Sequence, residues 1–420
     1  MFSQYLKDIS RVVEKIGLYP PLNPKEFVSL LEKSAAGNKL TNEEIAELLN
    51  GTYSPSNKQL LLDYAANLER PRQREILLLP PLYFSSICEN NCLYCDFSIN
   101  GIRLSTREFS REFRTLLEAG YRSIELVSSQ DPGLYLRKND FRPDDQKFNL
   151  ERVIPYFKFA QKSLDQVGGG MLTSNIPPVD RQSLLALKKA GLGCYLIWLE
   201  TFDPTRYAML HRAGGPKRSQ KFRLDSIELA LDAGIRHVAG AFLKGLSDWR
   251  REEVYLYLFD QYLKQSKGRG FSIIGTPRLK GRYASSEKVR PNRLSNQDYE
   301  LNLALDRVLF DGILWLQTRE PFQLNRKILK RFGAGVILTI TCSTAPGGYH
   351  KDFQTKAQFP VYKRQLLQSV RALEQDGFTV RFDWDSQTLL DFQRTQGTDG
   401  RGGGRRTPRS PGKQSGTTST

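Results

Sequence analysis

The sequence predicts an α/β protein: a (β/α)8 barrel of the TIM type with an N-terminal helical segment. Three observations carry that expectation. From Arg74 onward, short apolar runs alternate with amphipathic stretches, the pattern of parallel strands joined by helices. Eight such runs can be counted, the number that closes a barrel. The polar residues with chemical potential follow those runs, where a barrel carries its functional rim.

Residues 1–73 read as a helical cover. Helices are expected near Ser3–Ile16, Pro24–Lys33 and Lys58–Leu68, and another is opened by Thr41, with Glu44 completing a capping box. No titratable cluster or glycine-rich loop interrupts them.

Residues 74–345 form the barrel. The expected strands are Ile76–Phe84, Ser123–Val127, Gly170–Leu172, Cys194–Leu199, His237–Phe242, Phe271–Ile274, Gly312–Leu316 and Val336–Ile340. The first leads into a cysteine loop and the second into Ser129, Gln130 and Asp131. The fourth ends at Glu200, the sixth leads to Arg278, the seventh to Thr318 and Arg319, and the eighth to Thr339 and Thr341.

Residues 346–391 form a closing segment at the bottom or side of the barrel, with a helix at Lys363–Gln375, a stop at Gly377 and a strand at Thr379–Phe382. Residues 392–420 lack apolar periodicity and are rich in Gly, Ser, Thr and Arg, the composition of a disordered basic tail.

The net charge is +17 on 420 residues, and from Arg394 the tail holds six basic residues against one acidic. A basic surface favours acidic partners without naming one. The N-terminus has no apolar core of signal-peptide length, and no run approaches the roughly 18 apolar residues of a membrane span. Five cysteines, three of them in one loop, give no disulfide framework, which points to a reducing cytoplasm.

That loop, PLYFSSICENNCLYCDFS, is the strongest signal. Cys88, Cys92 and Cys95 stand in a C-x3-C-x2-C spacing with Tyr94 before the last cysteine. Three thiolates can hold three irons of a [4Fe–4S] cube and leave the fourth open, the condition for chemistry at a metal. The competing reading is a zinc knuckle. Zinc needs a fourth ligand, and the nearest histidine is His211.

The loop, together with LETF at Leu199–Phe202, FRLDSIELALDAGI at Phe222–Ile235, GLSDW at Gly245–Trp249, PRL at Pro277–Leu279, TREP at Thr318–Pro321, PGGY at Pro346–Tyr349 and DWDS at Asp383–Ser386, resembles the radical S-adenosylmethionine (SAM) aromatic amino acid lyases. The resemblance implies a [4Fe–4S] cluster on Cys88, Cys92 and Cys95, with SAM on its open iron and an electron donor such as ferredoxin or flavodoxin. It implies SAM contacts from Tyr94, Gln130, Glu200 and Arg223, and substrate contacts from Arg319, Thr318, Thr339 and Arg278. Arg319 inherits the substrate carboxylate, which a guanidinium clamps by two parallel bonds.

The implied reaction is Cα–Cβ cleavage of L-tyrosine to 2-iminoacetate and p-cresol, with thiazole synthase of thiamine biosynthesis using the first product. Alternatives are a lyase for another aromatic amino acid such as tryptophan, a tyrosine lyase of the hydrogenase-maturation kind, or, in another class, a non-catalytic RNA-associated paralogue. Two positions depart from the family pattern. Asp96 replaces a glycine after the third cysteine, and Ser129-Gln130 replaces the Gly-Glu that holds the SAM ammonium. A Gln carbonyl accepts the same hydrogen bond without the charge, and Asp131 is the candidate to restore it.

Overall fold

The computed structural model describes residues 1–384 apart from 19, 71, 137–145, 213–215, 281–291, 317–319 and 351–364. Four helices come first: α1 (Leu6–Val13), α2 (Pro24–Ala35), α3 (Asn42–Gly51) and α4 (Pro55–Asn67). Asn23, Thr41 and Ser54 cap the last three by accepting backbone N–H bonds, and Thr41 with Glu44 makes the expected capping box.

The barrel strands are β1 (Glu75–Leu78), β2 (Pro81–Ser85) and β3 (Ser123–Ser128), then a short hairpin of β4 (Tyr135–Leu136) and β5 (Lys147–Phe148). They continue as β6 (Met171–Asn175), β7 (Leu192–Glu200), β8 (His237–Phe242), β9 (Ile273–Gly275), β10 (Ile313–Leu316) and β11 (Val336–Leu338), with β12 (Thr379–Arg381) last. Between them run α5 (Thr106–Glu118), α6 (Leu150–Asp165), α7 (Arg181–Lys189), α8 (Pro204–Leu210), α9 (Gln220–Asp232), α10 (Trp249–Lys267), α11 (Asn296–Leu309), α12 (Phe322–Phe332) and α13 (Leu366–Gln375).

The N-terminal helices pack outside the barrel's own helices. The Phe2 ring stacks on Phe259 of α10 at 4.1 Å, Tyr257 of α10 accepts the Leu40 N–H at 2.8 Å, and α4 lies along α11. Among the described residues no helix is long and apolar enough to cross a membrane.

The large sheet is parallel, in the order β12-β1-β11-β10-β9-β8-β7-β6-β3-β2. Its two ends meet because β1 and β2 are one expected strand cut in two. Pro80 has no N–H to give a ladder, so the chain leaves β11 at Leu78 and resumes beside β3 at Pro81. Counted as one strand, that pair completes the expected eight.

The third barrel strand differs from expectation. It starts at Met171, because a Cβ on Gly170 would stand 1.9 Å from the Arg122 carbonyl oxygen. It then runs through Thr173-Ser174-Asn175, which read as a loop, because neighbours pair on both sides.

At the N-terminal end of the barrel β12 pairs with β1, and the Phe382 carbonyl accepts the Arg122 N–H just before β3. Trp384 then enters the interior, exchanging hydrogen bonds with Ser123. It packs with Leu77, Met171, Leu196, Ile313 and Ile337 in the barrel's central apolar cluster. Burying side chains of this size contributes roughly 2 kcal/mol each.

Candidate active site

The cysteine loop leaves β2 and is pinned at both ends. Cys88 N–H donates to Ser98 O at 2.9 Å, Glu89 N–H to Gln130 O at 3.0 Å, and Leu93 N–H to Leu210 O at 3.3 Å. Gly101 makes the return possible, since a Cβ there would meet the Ser86 carbonyl oxygen at 2.3 Å. Tyr94 is buried beneath the loop, 2.5 Å from His211 Nε2. His211 Nδ1 lies 2.8 Å from the Tyr207 carbonyl, which only accepts, so Nδ1 carries the proton and Nε2 accepts from the Tyr94 hydroxyl. Burial and then the Lys217 charge hold His211 down at about 3, consistent with a neutral ring.

Cys88, Cys92 and Cys95 face a cleft of about 630 Å³, part of it open to solvent. Burial raises the Cys92 thiol and pushes Cys95 up to about 12, so cations at the sulfurs are what would draw them into the thiolate form. Among the described residues no group of three or more His, Cys, Asp or Glu side chains gathers as one metal ion requires. A cube instead takes each sulfur on a different iron. His211, the histidine a zinc knuckle would need, is held between Tyr94 and Tyr207.

Across the cleft stand Glu200, Lys217 and Arg223. Glu200 ends β7 with φ +69, a left-handed conformation that a side chain adopts only when its surroundings impose it. They do: Glu252 of α10 accepts from Thr201 Oγ1 at 2.6 Å and from the N–H groups of Phe202 at 2.7 Å and Asp203 at 3.3 Å. Glu200 Oε1 accepts from Lys217 Nζ at 2.6 Å and lies 3.9 Å from Arg223 Nη1. Burial works to raise the Glu200 carboxyl, but the charges of Lys217 and then Arg223 hold it down at about 2. Arg223 Nη1 also donates to Trp198 O at 2.6 Å, while its Nε is buried with no partner.

Gln130 reaches the cleft from the end of β3. Its Nε2 donates to Gln146 Oε1 at 2.8 Å and its own Oε1 is buried with no partner. An open carbonyl oxygen, an ionised carboxylate and a guanidinium facing three sulfurs form a donor set suited to a cluster with SAM: two acceptors for an ammonium and a cation for a carboxylate.

The other expected residues fare differently. Asp131 does not restore the missing charge: itself fully buried, it takes Ser85 and both forks of the half-buried Arg103 and does not line the cleft. The Tyr94 ring does not line it either. Arg278 is engaged through all five guanidinium donors, to Glu320, Leu294 O, Ser295 O and Asn296, so a substrate carboxylate would have to displace Glu320. Thr339 accepts from Trp315 Nε1 at 2.5 Å, and Trp315 packs on Trp198 of the cleft wall. Thr318 and Arg319 lie outside the described residues. Sequence reasoning missed Lys217, whose Gly-Gly-Pro-Lys context reads as a plain loop, and Glu252, one of several acids along α10.

Residues 82–258 match the family model of the Radical SAM superfamily, so the barrel carries a radical SAM domain. Enzymes of this class use a [4Fe–4S] cluster and SAM. Within it, the chain is similar to 2-iminoacetate synthase of Escherichia coli (strain K12), 26% identical over 365 residues, 85% of this chain and 90% of that protein. It is also similar to 3-methylornithine synthase of Methanosarcina barkeri, 25% identical over 189 residues, 44% of this chain and 49% of the other. Among solved structures, the [FeFe]-hydrogenase maturase HydG from Carboxydothermus hydrogenoformans superposes with a TM-score of 0.74 at 28% identity, covering 91% of this chain and 85% of that one.

Proposed function

We propose that this enzyme is a carbon–carbon lyase acting on L-tyrosine, releasing 2-iminoacetate and p-cresol, with a ferredoxin- or flavodoxin-type protein as electron donor and thiazole synthase as consumer of the imine. The observation that carries the reading is the cleft itself, where three cysteines of a C-x3-C-x2-C loop face Glu200, Arg223 and the open Gln130 oxygen. Similarity to 2-iminoacetate synthase over nearly the whole barrel supports the choice of substrate.

When bound, the cluster and SAM supply a 5′-deoxyadenosyl radical by one-electron reduction. The chain's residues do the holding. Cys88, Cys92 and Cys95 fix the cluster, and the Tyr94–His211–Tyr207 chain of hydrogen bonds anchors their loop. Gln130 Oε1 and Glu200 receive the SAM ammonium, and Arg223 receives its carboxylate. Arg319 takes the carboxylate of the amino acid.

Anaerobic reconstitution followed by product analysis with SAM and tyrosine tests this. p-Cresol and 5′-deoxyadenosine are expected in equal amounts. Cleavage of SAM that no aromatic amino acid accelerates would remove the substrate assignment.

A further inference from the structure

Two polar side chains on neighbouring strands face the barrel interior. On β3, Ile124 and Leu126 pack outward under the helices, so Glu125 points inward; on β6, Met171 points inward and therefore so does Thr173. Glu125 stands opposite Thr173, and Thr173 opposite Cys194. One step nearer the rim the same ladder carries Val127 and Asn175, which line the cleft, about 6.6 Å higher at roughly 3.3 Å per residue.

Glu125 is 3% exposed, and Thr173 is fully buried. Asn175 is the hydrogen-bonding neighbour of the Glu125 carboxyl and Thr173 that of the Cys194 thiol, yet Glu125 Oε1 has no partner. Buried polar atoms are nearly always paired, so an unpaired carboxyl oxygen beneath a cleft marks a place where something else supplies the bond.

We propose that Glu125, with Thr173 beside it, is the subsite for the far-end hydroxyl of a phenolic substrate whose amino-acid head lies above it in the cleft. The inference rests on the reading of this enzyme as an aromatic amino acid lyase and adds the residue that selects among aromatics. Burial pushes the Glu125 carboxyl up to about 8, against the Asn175 contact that lowers it, so the group keeps its proton at neutral pH. A protonated carboxyl both donates and accepts. A hydroxyl can answer either way, an indole N–H only donates, and a phenyl ring does neither.

The test is equilibrium binding of tyrosine, tryptophan and phenylalanine to the reconstituted, SAM-loaded, unreduced enzyme, with phenol and toluene as head-free probes. The intact enzyme is expected to favour tyrosine over phenylalanine, and phenol over toluene, by roughly 10-fold or more. Glu125→Leu brings both ratios near one and leaves phenylalanine binding unchanged. Glu125→Gln keeps the volume and an acceptor and retains part of the preference; it serves, with Thr173→Val, if the Leu variant does not accumulate. Ratios unchanged in these variants overturn the proposal and leave Glu125 facing an internal water. If no amino acid binds while the phenol preference persists and depends on Glu125, the lyase reading fails and the subsite stands. If phenol shows no preference in the intact enzyme, the subsite falls whatever the amino acids do.

Discussion

Replacing Lys217 by Met removes the closest counter-charge of Glu200, which the Lys217 ammonium contacts at 2.6 Å. Arg223 remains at 3.9 Å, but part of its charge is directed to the Trp198 carbonyl. Removing one partner of a buried pair costs about 3–5 kcal/mol. The pair is not fully sealed, with side chains 15% and 8% exposed, and Arg223 compensates in part, so about 2–3 kcal/mol is expected. For a chain of 420 residues that loss lowers the melting temperature by about 2–4 °C. SAM brings an ammonium to the same carboxylate, so it should restore more stability to the variant than it adds to the parent. Anaerobic thermal unfolding of reconstituted protein, with and without SAM, reads both effects. A variant that melts with the parent, or gains no more from SAM, would show that Lys217 is not the counter-ion and that Glu200 does not meet the SAM ammonium.

Three further outcomes follow from the geometry. In Gly275→Ala the new Cβ would stand 2.0 Å from the Trp198 ring, so the variant should lose about 1–3 kcal/mol and show altered near-UV dichroism with weakened SAM binding; an unchanged spectrum would mean that Trp198 can move freely. Glu252→Ala releases the turn after Glu200 and leaves the Phe202 N–H without its acceptor, while the Asp203 N–H keeps Thr201 Oγ1; slower SAM cleavage with the cluster absorbance intact is expected, and parental kinetics would reduce Glu252 to a packing residue. Asp376, held down at about 2 by Arg326 and Lys330, contributes stability above its ordinary range that is lost as pH falls towards 2. Discounted for solvent, its share is about 1 kcal/mol, read as a smaller acid sensitivity in Asp376→Asn.

The barrel was legible because its strands are apolar runs with helical stretches between them, and the capping box at Thr41 because its signature is local. Strand breaks were less so. Pro80 looks like one residue inside an apolar run, and its effect depends on which neighbour lies on each side. The three cysteines, Glu200 and Arg223 could be found because motif and strand-end position mark them. Lys217 and Glu252 could not, since each owes its role to a turn at Glu200 whose left-handed backbone no local pattern announces. Asp131 misled for the same reason: its charge was visible, while Arg103, the partner that consumes it, lies 28 residues earlier.

The joining of β1 to β12 has a consequence for how the chain is made. Glu75 and Thr379 are neighbours in space, yet a ribosome must deliver some three hundred intervening residues before they can meet. Until then the nascent sheet keeps a raw edge and an unfilled base, the kind of surface on which growing chains stick to one another. Synthesis of this enzyme should therefore be sensitive to holdase chaperones, and a chain released before Trp384 should accumulate in inclusion bodies.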